Sequence, residues 1–181
     1  MLHPDNPPSA QVLERVGMRF EGHTRSSFVL DDVVSDDWIY GMTRAEWDVW
    51  RDRPRNVPEV VRLVEVTNDN VMDLFDLVTH KTQEAMVAPV GVSLAQALVV
   101  PTVTDRNATA WYRGIYADDV PAGFVMVALY PDKEPYLWRF LIDRMHQRRG
   151  IGGMALDLIE EEMRSLGHSS WRVSWVPGRG S

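Results

Sequence analysis

The sequence predicts a mixed α/β (α+β) fold: a mostly antiparallel, twisted sheet flanked by helices. Three observations lead there. Segments with helical spacing of apolar residues alternate with short extended runs. Three extended runs follow one another on tight polar turns between Trp111 and Asp143. A glycine-rich loop then leads directly from the last of them into a long amphipathic segment. The chain has 181 residues, 45% apolar and 25% charged, enough for one ordinary core or two small ones.

The elements can be justified in order. Asn6 suits an N-cap with Pro7 in the first helical position, and Gly17 suits the end of that helix. Residues 18–30 and Val34 to Met42 read as a hairpin turning at Asp31-Asp32. Thr43-Arg44-Ala45-Glu46 has capping-box spacing, so Arg44 to Trp50 reads as a short helix packing through Trp47 and Trp50. Arg51 to Pro58 is polar with two prolines and reads as a linker, giving segments 1–50, 51–60 and 61–181.

In the third segment Arg62 to Val66 reads as a strand. Val71, Leu74, Phe75 and Val78 repeat at helical spacing, and Ser93 suits the cap of a helix through Val99. Strands Trp111–Tyr116, Gly123–Tyr130 and Tyr136–Asp143 form a meander on the turns at Asp118-Asp119 and Pro131 to Glu134. Leu156, Ile159, Met163 and Leu166 mark a helix ended by Gly167, and Trp171 to Trp175 reads as a final strand.

Composition narrows the function classes. A formal charge of −7 disfavours an extended phosphate-backbone partner, so no nucleic acid is expected. Zero cysteines exclude disulfides, thiol nucleophiles and thiolate metal sites. The five histidines lack ligand spacing, and no metal is expected. The first residues resemble no signal peptide and no stretch reaches the length of a membrane span, so the expectation is a soluble, cytoplasmic protein with no membrane partner. The Asp31-Asp32 and Asp36-Asp37 pairs read first as an acidic hairpin, though they would also suit a polyamine.

Chemistry concentrates in Gln147-Arg148-Arg149-Gly150-Ile151-Gly152-Gly153. Glycines there let backbone N–H groups approach a ligand, and the first N–H groups of a helix favour phosphate. Arg148 and Arg149 add positive charge, so a pyrophosphate is the natural guest. A P-loop would need Gly-Lys-Ser/Thr, and a dinucleotide fingerprint a third glycine where Ala155 stands. Taken alone, the glycines equally suit a plain structural turn.

Gln147 to Gly152 resembles the Gln/Arg-x-x-Gly-x-Gly/Ala acyl-CoA motif of the GNAT superfamily of N-acetyltransferases. Trp138-Arg139-Phe140-Leu141-Ile142-Asp143, Val87-Ala88-Pro89 with Ser93 to Ala97, and Val176-Pro177-Gly178 agree with that resemblance. Residues 61–181 are similar to the front part of the spermine/spermidine (diamine) acetyltransferase branch, up to the fifth strand of the family's fold. The missing back part stands at the other end. Asn6 to Gly22 resembles the Asn-x-x-Ser…Leu-Glu-Lys-x-Gly-Phe-x-x-Glu-Gly tail of the ribosomal-protein alanine acetyltransferase branch, and the hairpin through Tyr40-Gly41-Met42 fits that tail.

The resemblance therefore implies a GNAT-like fold with permuted order, residues 1–50 completing the sheet begun by residues 61–181. Closure within one chain has to cross about five strand spacings, roughly 24 Å, and ten extended residues reach about 33 Å. Exchange between two chains would give a homodimer. A third arrangement is the middle of a tandem two-domain protein, each half needing a partner.

The implied activity is acetyl transfer from acetyl-CoA, as co-substrate, to a primary amine of a small, polyamine-like acceptor by direct attack. Backbone groups at Leu141 and Ile142 would bond the pantetheine. Gln147, Arg148, Arg149, Gly150, Ile151, Gly152 and Gly153 would hold the pyrophosphate, with Asn6 near the cofactor. Many members carry an acid tyrosine where this chain has Leu13. Tyr136 and Glu134 are the catalytic candidates, with Tyr40 a weaker one. The alternative is a non-catalytic acyl-CoA-binding or assembly module derived from a tandem protein.

Overall fold

The computed structural model describes residues 2–99 and 107–174. They divide into two units, one of residues up to Arg53 with His80–Gln83, the other of Pro54–Thr79 with residues from Glu84 onward.

The first unit is built from α1 (Pro7–Arg15), β1 (Arg19–Leu30), β2 (Val33–Gly41), α2 (Arg44–Asp52) and a single 3₁₀ turn, Lys81–Gln83. Asn6 caps α1 by accepting the Ser9 amide at 3.2 Å. The helix closes as a Schellman motif: Gly17 N–H donates to the Glu14 carbonyl and Met18 N–H to the Leu13 carbonyl, each at 3.0 Å. Gly17 has φ +97°, and a Cβ there would also lie 2.4 Å from the Trp50 ring. Asp31 and Asp32, at φ 48° and 64°, turn the chain from β1 into β2, which pair as a two-stranded antiparallel sheet of their own. Thr43 and Glu46 form the expected capping box on α2, and Trp50 is buried. The carboxylate of Glu14 is buried and saturated. Tyr40 Oη donates to it at 3.0 Å, Thr82 N–H at 3.0 Å and Thr82 Oγ1 at 2.6 Å.

The second unit is a five-stranded sheet ordered β3-β4-β5-β6-β7, comprising Val61–Val64, Thr109–Ala117, Val120–Leu129, Tyr136–Ile142 and Arg172–Val173. Pairing is antiparallel up to β6, and β7 joins β6 in parallel. The two faces of β5 separate the cores. Ala122, Val125 and Val127 pack with Ile151, Ala155, Ile159 and Met163 of α5 (Ile151–Ser165). Phe124 and Met126 pack on the other face with Leu74 of α3 (Val71–Phe75), Val90 of α4 (Val90–Leu98), Leu77 and Leu141. A strand covered on both faces reads as the near-continuous apolar run seen in β5.

Of the boundaries that differ from the sequence expectation, three concern elements around the site. The period Val71–Val78 predicts a longer α3, but the helix ends at Phe75 because the Val78 amide is taken by the Asp143 carboxylate at 2.8 Å. Ser93 does not cap α4. The helix starts at Val90 after Pro89, and Ser93 bonds back to the Pro89 carbonyl through both N–H and Oγ at 3.0 Å. The last strand covers Arg172–Val173; Trp175 and Val176-Pro177-Gly178 lie outside the described residues. No helix among the described residues is long and apolar enough to cross a membrane.

Candidate functional site

The loop from Asp143 to Gly150 carries β6 into α5, and a buried carboxylate anchors its start. Asp143 accepts the amides of Val78 at 2.8 Å and Met145 at 2.7 Å, while its own N–H donates to the Ala122 carbonyl at 2.9 Å. Gln147 turns back on the strand, its Nε2 donating to the Ile142 carbonyl at 3.0 Å. Arg148 and Gly150 both take left-handed backbone, φ 64° and 80°. The chain thereby enters α5 with no side-chain cap among the described residues. Met154 is the first residue of α5 whose N–H finds an acceptor in the turn before it, the Gly150 carbonyl at 3.3 Å. The N–H groups of Ile151, Gly152 and Gly153 precede that bond, at the positive end of the helix, with no acidic residue in the first turn.

Among the described residues nothing requires Gly152 and Gly153 to be glycine. Neither has positive φ; a Cβ on Gly153 would meet nothing within 4 Å, and one on Gly152 only Phe140 Cε1 at 3.8 Å. Glycine inside a helix costs about 0.5–1 kcal/mol relative to alanine. The two glycines belong to the same first turn as the three amides, and this donor set fits a diphosphate.

The two arginines divide. Arg148 is exposed. Arg149, expected to face the ligand, is turned inward: its side chain is 3% exposed, Nε donates to the Asn56 carbonyl at 2.8 Å, Nη1 lies 3.0 Å from His146 Nδ1, and Nη2 reaches Asp118 at 3.5 Å. It holds the loop instead of presenting charge, because Asn56 and Asp118 come from distant segments that sequence spacing does not register. Burial keeps the His146 imidazole below its ordinary pKa, against the opposing pull of Asp143 and with the help of Arg149.

Strand β6 itself is irregular. Met126 pairs with Arg139 and Val127 with Leu137, so Trp138 is a bulged extra residue. Among the described residues β7 pairs only at Tyr136 and Leu137, which leaves β6 from Trp138 to Ile142, including Leu141, outside that ladder. A cavity of about 330 Å³ adjoins this end of the strand, lined by Leu141, Leu77, Val78, Thr79, Glu84 and Pro89 among others.

The catalytic candidates sit at the opposite end of β6. Tyr136 Oη is 2.6 Å from Ser174 Oγ, and Glu134 accepts from Ser170 Oγ at 2.5 Å and lies 3.9 Å from Arg172. Asn6 serves α1 as its N-cap, and the hydroxyl of Tyr40 donates to Glu14. Sequence reasoning missed Asp143 and Arg139 as determinants; both stand on β6 or at its end, where their period matched an ordinary strand.

Residues 83–176, just over half the chain, match the Acetyltransferase (GNAT) family, and the chain belongs to that family. The match takes in α4, the meander, the loop and α5. No curated protein matches the chain.

Proposed function

We propose that the protein transfers an acetyl group from acetyl-CoA to a primary amine of a small acceptor. The observation that supports it most is the pair Gly152 and Gly153, glycines that neither backbone conformation nor packing among the described residues calls for, in the uncapped first turn of α5. In this reading those amides and exposed Arg148 hold the diphosphate, with Gln147, Gly150 and Ile151 shaping the loop. Arg149 acts from behind, as the brace that fixes it. Acetyl-CoA supplies the acyl group as a thioester.

Backbone groups of Leu141 and Ile142 lie on the part of β6 that, among the described residues, β7 does not pair, where an extended ligand chain can add along the strand. Transfer joins the acceptor nitrogen to the acetyl carbon and breaks the carbon–sulfur bond. The nitrogen loses a proton and the sulfur gains one. An alkyl ammonium has a pKa of about 10.4, so a base or water has to take that proton. Tyr136 and Glu134, the sequence candidates, lie at the other end of β6 from this stretch, so water is proposed to take the proton.

A thiol-release assay with acetyl-CoA and a panel of amines tests this. Release that depends on the amine and yields the N-acetyl product is expected. Coenzyme binding without release for every amine would leave a non-catalytic acyl-CoA-binding module.

A further inference from the structure

The bulge at Trp138 places Trp138 and Arg139 together on the α3–α4 face of the sheet, opposite α5. Trp138 packs against the cluster of Leu74, Phe124, Met126 and Leu141. The Arg139 guanidinium lies 5.2 Å from the Trp138 ring centre. Its Nη1 donates to the Trp138 carbonyl and its Nη2 to Gln96 Oε1 on α4, each at 2.8 Å. Its Nε is buried with no partner. Among the described residues no carboxylate pairs with this arginine. Burial lowers its pKa, and only Tyr136 counters. A cation that is partly buried, as Arg139 is, often comes with a counterion, since stripping its water is costly. Among the described residues the fold provides two neutral carbonyls and leaves Nε of the planar fork without a partner.

The cavity of about 330 Å³ lies on this same face, with Leu141 in its wall. Leu141 is two residues along β6 from Arg139, about 6.6 Å at strand rise. Such a volume suits a small molecule. The diphosphate loop belongs to α5, on the other face, so coenzyme phosphates and Arg139 are separated by the sheet.

We infer that Arg139, positioned by Gln96, recognises a carboxylate on the acceptor, so that the substrate class is amines bearing a carboxylate, such as amino acids, rather than polyamines. This rests on the acetyl-transfer reading for the word acceptor, but the binding site can be tested without turnover. The guanidinium would donate to the carboxylate, which stands where no counterion is found among the described residues, with the acceptor's apolar part against Leu141 and its amine toward the stretch of β6 that the described part of β7 does not pair. The anionic group gives selectivity, because an amine lacking it leaves Arg139 as it is now, under-partnered.

The test uses matched pairs, each an amino acid and the amine left when its carboxylate is removed. Binding to the CoA-loaded protein is measured by calorimetry, and thiol release is followed in parallel. Tighter binding of the carboxylate member, by about 10- to 100-fold, is expected. Arg139→Gln should erase that difference while leaving CoA affinity and the weak binding of the plain amine unchanged. If Arg139→Gln fails to fold, Gln96→Leu should narrow the difference and Arg139→Lys should keep part of it. Carboxylate-selective binding without thiol release would remove the acetyl-transfer reading and keep the Arg139 assignment. Equal binding within every pair, preference for the plain amines, a preference that survives Arg139→Gln, or binding of neither member would each overturn it. A loss of CoA affinity in Arg139→Gln would reassign the arginine to the coenzyme and overturn it too.

Discussion

The Asp143 carboxylate accepts the Val78 amide at 2.8 Å across 65 residues of chain. This bond ends α3 early and fixes the start of the loop that feeds α5, so one side chain links the length of a helix to the shape of the candidate site. Asp143→Ala would leave the Val78 and Met145 amides without their acceptor. The cost is about 1–3 kcal/mol for buried donors left unsatisfied. Urea unfolding should show that loss, and coenzyme affinity should fall with it; Asp143→Asn, which keeps one acceptor oxygen, should lose less. Unaltered stability in Asp143→Ala would mean the loop holds its form without this anchor.

Gly152 and Gly153 should separate stability from binding. Replacing Gly153 by Ala meets no atom within 4 Å and needs no unusual φ. It should therefore stabilise α5 by about 0.5–1 kcal/mol, the usual helix gain over glycine. Gly152→Ala should do the same within the slack left by Phe140. Both should weaken CoA, and Gly152→Asp should abolish its binding by adding a negative charge against the diphosphate. Chemical unfolding together with calorimetry checks both signs. A Gly152→Asp protein that bound CoA normally would remove this loop as the coenzyme site.

Arg148 and Arg149 are adjacent, yet their substitutions should differ. Arg148→Asn keeps a residue that tolerates left-handed backbone, so stability should stay within about 0.5 kcal/mol. CoA affinity should drop by roughly 2- to 10-fold and lose some salt dependence. Arg149→Met should instead destabilise by about 1–3 kcal/mol, because the Asn56 carbonyl loses its buried donor. Thermal unfolding and CoA titrations at two salt concentrations distinguish the pair. Equal effects on stability would contradict the inward orientation of Arg149.

Local chemistry made much of this fold legible. Asn6 and Gly17 bound α1, Thr43 and Glu46 cap α2, and Asp118-Asp119 and Asp31-Asp32 turn hairpins, each because the interactions that set them span a few residues. The glycines of the loop were legible for the same reason. The early end of α3, the burial of Arg149 and the under-partnered Arg139 depend on Asp143, Asn56 and Gln96, which are remote in sequence. Spacing carries no signal for such pairs. A bulge at Trp138 also changes which face each β6 residue takes, and alternation alone assigns those faces wrongly.

The imidazole of His146 gives the loop a pH dependence whose sign follows from its surroundings. Burial disfavours the charged ring first; Asp143 opposes that and Arg149 adds to it, so the folded pKa lies below the ordinary value of 6.5. The Arg149 guanidinium donates to Nδ1 at 3.0 Å, a bond that needs the ring neutral at that nitrogen. Below about 6.5 the unfolded chain therefore binds more protons than the folded one at this site. The contribution of neutral His146 is complete above that pH and is lost as pH falls through the depressed folded value. His146→Gln keeps a neutral acceptor for Arg149 and does not titrate. Urea unfolding at pH 7.5, 6.5 and 5.5 should show the parent losing stability relative to His146→Gln as pH falls, with a constant gap above neutrality. A parent that gained relative to the variant toward acid pH would mean the imidazolium is the form this loop prefers.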